Sequence, residues 1–154
     1  NPEKDDVKLV ALERHEGNGH IGIGFLGNYG LKKGAVATSV GHDSHNLVIA
    51  GVTDEDIAAA GNRVVENEGG LAIAVDGKVV LDLPLKMSEL PVEEVDRRLE
   101  AMKSLSQELG VHEDVDAFMT LAFVSLPVIP KLRLNTYGVI DAEKQQIVDV
   151  FYSI

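Results

Sequence analysis

A chain of 154 residues with 45% hydrophobic and 25% charged side chains has the balance of an ordered globular domain, and its length suits one domain. The sequence contains no cysteine, which excludes a disulfide framework, a thiol nucleophile and every cysteine-containing zinc site. A formal net charge of −11 without any run of Lys or Arg argues against a nucleic-acid partner, because phosphate neutralisation carries most of such affinity.

The start of the chain, "NPEKDD", is polar and lacks both an initiator Met and an apolar signal region. No apolar run approaches the roughly 20 residues that span a bilayer. We therefore expect a cytoplasmic protein with no membrane partner. Because the polar start leads directly into an apolar run, we expect a fragment cut at a linker, although removal of Met from a natural short protein would look similar.

The first third of the sequence predicts four strands. Residues 7–14 are rich in Val and Leu, and residues 35–40 and 47–52 are further β-rich runs. The glycine-rich stretch between them predicts a structured loop with a short strand at residues 21–25. Its "GHIGIGFLG" is followed by the loop-like "NYGLKKG" rather than by a helix, which argues against a dinucleotide-binding fingerprint.

A helix over residues 54–67 is predicted next. Thr53 is its N-cap, Asp56 completes a weak capping box, and the pair Gly69-Gly70 ends it. "LAIAVDGKVVLDLPL" then predicts a β-hairpin, because Asp76-Gly77 is a residue pair that a type I′ turn prefers.

A second helix is predicted from Pro91 to Gly110. Its apolar stripe predicts a core or docking face and comprises Val92, Val95, Leu99, Met102, Leu105 and Leu109. His112, which follows, is expected to be a solvated loop histidine. Residues 119–126 form a buried-looking run that Pro127 and Pro130 break, "NTYG" predicts a turn, and "QQIVDVFYSI" predicts a closing strand.

These elements have no steady strand–helix–strand rhythm. They predict an α+β fold with a mostly antiparallel (mixed) sheet of about seven strands and two main helices.

A polar cluster lies between two predicted strands and comprises His42, Asp43, Ser44, His45 and Asn46. A metal site would need further ligands, for which His15 and His20 are candidates, but the HExxH zinc spacing is absent. No Gly-x-Ser-x-Gly elbow surrounds Ser44, which argues against a nucleophile. The simplest interpretation is a turn in which Asp43 and Ser44 are hydrogen-bonded and Asn46 anchors the next strand.

Three stretches of the chain resemble the C-terminal domain of bacterial and archaeal adenine deaminases, members of the amidohydrolase superfamily. They are "VALERHEGNGHIGIGFLGNYGLKKGAVATSVGHDSHNLVIAG", "DEDIAAAGNRVVENEGG" and "FMTLAFVSLPVIPKLRL". The resemblance runs from about residue 7 to the end of the chain, with "SVGHDSHN" as its most specific part. It implies a single domain, residues 1–154, of a hydrolase that converts adenine to hypoxanthine and ammonia in purine salvage and adenine catabolism.

The resemblance also implies a divalent metal, manganese or iron, held in a (β/α)₈ barrel that precedes this domain. The sequence contains no His-x-His pair and no barrel repeat, so we expect no metal and no cofactor in this chain and no activity from it alone. The implied partners are the barrel of the same protein, adenine in the parent enzyme, and further copies in a homo-oligomer.

Residues 42–46 are therefore candidates for an active-site wall or for support of the metal ligands, with Arg14 and His15 as weaker candidates. The rival interpretation is a structural knot that ties the domain to the barrel. An alternative for the whole chain is a stand-alone, non-catalytic module that binds a small ligand or assembles subunits.

Overall fold

The computed structural model describes residues 2–150 and folds them into two antiparallel sheets and three α-helices. The strands are β1 (Asp6–Leu12), β2 (Ile21–Gly27), β3 (Ala35–Thr38), β4 (Leu47–Gly51), β5 (Gly70–Val75), β6 (Lys78–Pro84), β7 (Leu132–Asn135), β8 (Gly138–Asp141) and β9 (Gln146–Val148). The helices are α1 (Asp54–Glu66), α2 (Val92–Glu108) and α3 (Ala117–Val124), and short 3₁₀ segments cover Pro2–Lys4 and Leu85–Glu89. The predicted α+β class is confirmed.

The larger sheet has six strands in the order β2-β1-β4-β3-β5-β6, and each neighbouring pair is antiparallel. Both faces of its central strands are buried, which is why these strands read as nearly continuous apolar runs. On one face α1 covers a core that includes Ala35, Ile49 and Ala72. On the other face α2, α3 and the small sheet cover a second core that includes Met102 and Leu121.

The small sheet, β7-β8-β9, packs on β1 and β2, where two glycines leave room for it. A Cβ at Gly22 would lie 1.8 Å from the Asn135 carbonyl oxygen, and one at Gly24 would lie 3.3 Å from the side chains of Leu134 and Val139. The alternation of glycine with larger residues in β2 therefore gives one flat face for the small sheet and one apolar face, formed by Ile21, Ile23 and Phe25.

The two local motifs predicted around α1 are confirmed. The Thr53 hydroxyl accepts a hydrogen bond from the Asp56 N–H (3.2 Å) and donates one to Asp56 Oδ2 (2.7 Å). Asp76 and Gly77 both have positive φ, 53° and 72°, as a type I′ turn requires. The Gly77 N–H donates to Asp56 Oδ1 (2.9 Å), so the cap of α1 also fixes the turn of the β5–β6 hairpin.

The described residues form more strands and one more α-helix than the sequence predicts. Residues 2–150 contain nine strands in two sheets rather than about seven in one, because the strands on either side of the "NTYG" turn, which is confirmed, are each only four residues long. The buried-looking run at residues 119–126 is mostly helix, since α3 runs from Ala117 to Val124 with Asp116 as its N-cap. The closing strand covers only Gln146–Val148, and residues 151–154 lie outside the described part of the chain.

Other boundaries differ in smaller ways. Helix α1 ends at Glu66, before the predicted Gly69-Gly70 stop, and Gly70 already begins β5. Within the predicted stripe of α2, Met102 is fully buried, but Val92 and Leu99 are exposed. None of the described helices combines the length and the apolar character that crossing a bilayer requires.

Candidate functional site

The polar cluster of residues 42–46 is an exposed loop that connects β3 to β4 at one end of the larger sheet. The loop between β1 and β2 lies beside it, because His15 Nε2 contacts the Ser44 carbonyl oxygen at 2.6 Å. A carbonyl only accepts, so His15 Nε2 carries the proton in this contact. The structure thus places His15 beside the cluster.

Two histidines within the cluster are held by defined contacts. The Gly41 N–H donates to His45 Nδ1 (3.3 Å), and the backbone of His45 has a positive φ of 49°, which turns the chain back toward Gly41. The ring of His42 lies over the ring of Phe123 in α3, with centroids 4.5 Å apart and planes 32° apart. Both histidines of the cluster are therefore in contact with neighbouring parts of the chain.

A buried hydroxyl fixes the base of the loop. The Ser39 N–H donates to the Gly70 carbonyl (3.0 Å), and the Gly70 N–H donates back to Ser39 Oγ (2.9 Å). The Thr38 hydroxyl accepts from the Val40 N–H (3.0 Å), so β3 ends in a hydrogen-bonded bend. These bonds position the cluster, although sequence reasoning had assigned no role to Ser39 or Thr38.

The expected hydrogen-bonded turn is only partly correct. Residues 42–44 do bend, but among the described residues the side chains of Asp43 and Ser44 make no hydrogen bond. Asn46 Oδ1 is buried and has no hydrogen-bond partner within residues 2–150. It lines a cavity of about 10 Å³, which is room for one water. An unpartnered buried acceptor is costly, and a water in this cavity would supply the donor that Asn46 Oδ1 needs.

A larger pocket of about 470 Å³ adjoins the cluster between β3, α2 and α3. Its walls are mostly apolar and include Leu71, Leu99, Phe118 and Met119, and His42 stands at its rim. Glu100, Lys103 and Asp116 supply charged groups. Asp116 also caps α3, since its Oδ1 accepts from the N–H groups of Phe118 (3.0 Å) and Met119 (2.8 Å).

The loop that carries His15 is organised by one carboxylate. The carboxylate of Glu13 accepts hydrogen bonds from the backbone N–H groups of four consecutive residues: His15, Glu16, Gly17 and Asn18. The hydrogen bond from the Glu16 N–H has the largest effect. Together the four bonds outweigh desolvation, so the pKa of the Glu13 carboxyl is lower than its ordinary value. Glu13 therefore shapes the loop that presents His15 to the cluster.

Arg14 does not join this wall. It lines a separate groove of about 220 Å³ with Leu47, Val64 and Glu68, on the side of the sheet that α1 covers. Side chains of neighbouring residues in an extended segment point to opposite sides, which explains why the side chains of Arg14 and His15 lie at different places on the surface. His112 also lies elsewhere, and its Nε2 is 2.9 Å from Asp5 Oδ2, so it is a paired rather than a simply solvated histidine.

The cluster does not have the form of a metal centre. Within residues 2–150 no three His, Asp or Glu side chains group together as a metal site needs. The described histidines face other partners: His42 stacks on Phe123, His20 lies against Tyr137 with ring centroids 4.8 Å apart, and His15 reaches a carbonyl. These side chains do not converge on a common point, so as arranged they do not fit a divalent cation.

Sequence reasoning missed α3 and with it Phe123 and the wall of the larger pocket. The available signal was Asp116, a good N-cap residue placed directly before the apolar run. The run itself is apolar on all sides, so its periodicity did not separate a helix from a buried strand.

Comparison with known proteins matches residues 1–146 to the family described as the adenine deaminase C-terminal domain. The chain is 47% identical over 152 residues to adenine deaminase 2 of Carboxydothermus hydrogenoformans, a match that covers 96% of this chain and 27% of that protein. It is 48% identical to the adenine deaminase of Moorella thermoacetica (96% and 25%) and 46% identical to that of Brucella anthropi (92% and 26%). The chain spans about a quarter of the length of these relatives.

Proposed function

Because the chain belongs to the adenine deaminase C-terminal domain family, we propose that it acts as one domain of a hydrolase that converts adenine to hypoxanthine and ammonia in purine salvage. In this proposal the part of the relatives outside the match forms a metal-binding barrel, with manganese or iron, and carries the chemistry. The chain packs on that part and is inactive alone.

One observation supports this role for the domain: the polar cluster borders exposed apolar side chains. Val40, Leu99, Met119 and Phe123 are exposed apolar side chains around the cluster and the larger pocket. A contiguous apolar patch next to fixed polar groups is typical of an interface or a ligand site rather than of a free surface. We therefore place the catalytic part of the protein against this end of the sheet.

The cluster offers the groups that a purine edge needs. An adenine presents ring nitrogens that accept and an amino group that donates, and Asn or neutral His side chains match such a pattern. His42 borders the larger pocket and lies against Phe123, and Asn46 lies in the same loop with a buried side-chain oxygen, so Asn46 supports the loop rather than contacting the purine. In this role residues 42–46 and His15 line or support the adenine pocket, and they orient the substrate rather than attack it.

A second candidate function rests on the larger pocket. A volume of about 470 Å³ with mostly apolar walls lies in the range of small-molecule sites. This favours a stand-alone module that binds a small ligand without catalysis. Thermal unfolding of the 154-residue chain with and without millimolar adenine discriminates the two, because a ligand that binds only the folded state raises the melting temperature.

We also propose a cytoplasmic location, which the absence of cysteine supports because reducing compartments do not sustain disulfide frameworks. The strongly acidic composition supports the absence of a nucleic-acid partner.

The experiment for the cluster uses a chimera in which this chain replaces the matching region of the Carboxydothermus hydrogenoformans adenine deaminase 2. His42→Ala and Asn46→Ala are each expected to lower kcat/KM for adenine by about 10- to 100-fold, as loss of supporting contacts at an active site does. His112→Gln, which lies outside the cluster, is the matched control and is expected to leave kcat/KM unchanged. Unchanged kcat/KM in folded His42 and Asn46 variants would contradict the assignment.

A further inference from the structure

The loop between β1 and β2 contains the dipeptide Asn18-Gly19, which is the only Asn-Gly pair in the sequence. Residues 14–20 are exposed, and a Cβ added at Gly19 would meet no atom within 4 Å. Gly19 has a positive φ of 75°, a conformation that glycine adopts without strain. The peptide bond between the two residues therefore lies in an exposed and unobstructed part of the loop.

The atoms that react in an Asn-Gly pair are the side-chain carbon Cγ of the asparagine and the backbone nitrogen of the glycine. The His20 N–H donates a hydrogen bond to Asn18 Oδ1 (2.9 Å), and this bond closes a ring of atoms that includes both Cγ and the Gly19 nitrogen. A donor at Oδ1 also stabilises the negative charge that develops on this oxygen when Cγ is attacked. Within residues 2–150 the Gly19 N–H donates no hydrogen bond, so its nitrogen is free to react.

We propose that Asn18 is a site of spontaneous deamidation. The Gly19 nitrogen loses its proton and bonds to Asn18 Cγ, the Cγ–Nδ2 bond breaks, and Nδ2 takes up a proton and leaves as ammonia. Water then adds to either carbonyl carbon of the resulting succinimide ring. Opening at Cγ gives aspartate, whereas opening at the backbone carbon gives isoaspartate, in which the chain runs through Cβ and Cγ. The net change is the uptake of one water and the release of one ammonia.

The pair Asp76-Gly77 shows how the same fold can restrain such an attack. The Gly77 N–H donates to Asp56 Oδ1 (2.9 Å), and Lys33 Nζ binds Asp76 Oδ2 (2.8 Å). A Cβ at Gly77 would lie 2.5 Å from a side-chain oxygen of α1, so this turn is packed where the Asn18-Gly19 loop is open. Reaction at Gly77 requires its hydrogen bond to open first, whereas no such bond holds the Gly19 nitrogen.

Deamidation at Asn18 would change the hydrogen bonds that shape the loop. Asn18 Nδ2 donates to Glu16 Oε2 (3.3 Å), and the Asn18 N–H donates to Glu13 Oε2 (3.4 Å). A carboxylate in place of the amide removes the first donor and adds a negative charge beside two others, and like charges at this range repel. The loop that brings His15 Nε2 to the Ser44 carbonyl then loosens. The inference uses only the chemistry of this loop and is independent of the proposed deaminase role.

The first test incubates the folded 154-residue chain in weakly alkaline buffer and follows each asparagine by proteolysis and mass spectrometry. Asn18 is expected to convert first, to isoaspartate and aspartate, with an equal amount of ammonia released. In Asn18→Gln this release is expected to be lost, because the longer side chain would have to close a larger ring. The asparagines that precede residues larger than glycine are internal controls and are expected to stay intact over the same period: Asn28, Asn46, Asn62, Asn67 and Asn135.

The second test asks whether the fold, rather than the dipeptide alone, sets the rate. Asp76→Asn introduces an Asn-Gly pair into the β5–β6 turn, and type I′ turns favour this pair, so the variant is expected to fold. Deamidation at position 76 is expected to be slower than at Asn18 by a factor of roughly 10 to 100, because the hydrogen bond from Gly77 to the Asp56 carboxylate must open first. In urea, where neither pair is held, the two rates are expected to converge.

Hydrogen exchange measures the consequence for the loop. In Asn18→Asp, which is a stable form of one product, the N–H groups of Glu16 and Gly17 that donate to Glu13 are expected to exchange faster than in the unmodified chain. Conversion of another asparagine before Asn18, or a rate at Asn18 no faster than that at position 76 of folded Asp76→Asn, would overturn the proposed site. Unchanged exchange of the two amides would overturn its effect on the loop.

Discussion

At the scale of single residues, the candidate site is organised by groups whose roles are indirect. Ser39 anchors the base of the cluster loop to Gly70, and Glu13 gathers the N–H groups of the loop that carries His15. Neither residue belongs to the cluster that the sequence singles out. Residues 42–46 are easy to recognise in the sequence because five polar side chains follow one another. The residues that position this loop are single and scattered, so they are harder to recognise.

Glu13 provides a test by pH. Because hydrogen bonds lower its pKa in the folded chain below the ordinary value of 4.5, its contribution to loop order is fully present above pH 4.5 and is lost as the pH falls through the lowered pKa. NMR titration is expected to show Glu13 ionising below pH 4.5, with the amide shifts of Gly17 and Asn18 changing in step. In Glu13→Gln those amide shifts are expected not to titrate. A Glu13 carboxyl that titrates at 4.5 or above would contradict this account.

At the scale of elements, the success of sequence reasoning depended on how local the signal was. The β5–β6 hairpin was predictable because Asp76 and Gly77 supply the backbone conformation its turn requires. The α1 cap was predictable for the same reason, since Thr53 and Asp56 are three residues apart. Helix α3 was not, because a short run that is apolar on every side carries no period.

The second sheet was missed for a related reason. Its strands are only three or four residues long and are stabilised by packing on β2, a contact distant in sequence. The sequence of β2, in which glycine alternates with larger residues, does reflect the packing of the small sheet. That pattern can be interpreted only once the structure shows that Asn135 lies against Gly22.

Gly22 tests this packing. In Gly22→Ala the new Cβ would lie 1.8 Å from the Asn135 carbonyl oxygen, so the small sheet must shift, and we expect a loss of about 2–3 kcal/mol in the free energy of unfolding. Gly27→Ala is the control in the same strand, because its Cβ would meet nothing closer than 3.5 Å and a change within about 0.5 kcal/mol is expected. Urea unfolding measures both, and equal effects would show that β2 does not need the gap.

At the scale of the whole molecule, the chain presents two distinct surfaces to other bodies. One end of the sheet carries the cluster, the larger pocket and exposed apolar side chains. The edge strand β2 has no partner strand on its outer side within residues 2–150 and carries the exposed side chains of Ile21, Ile23 and Phe25. In the proposed role as one domain of a longer enzyme, the end of the sheet that carries the cluster faces the catalytic part. The family and the α+β class were predictable from sequence, whereas these surfaces needed the folded arrangement.

The central claim is that this chain supplies a domain that an adenine deaminase needs, and exchange of that domain tests it most directly. Hypoxanthine formation from adenine, with Mn²⁺ or Fe²⁺ present, is measured for three proteins: the Carboxydothermus hydrogenoformans adenine deaminase 2 without its matching region, the chimera that carries this chain there, and the 154-residue chain alone. We predict that only the chimera deaminates adenine. Full activity in the shortened enzyme, or a folded chimera without activity, would contradict the claim.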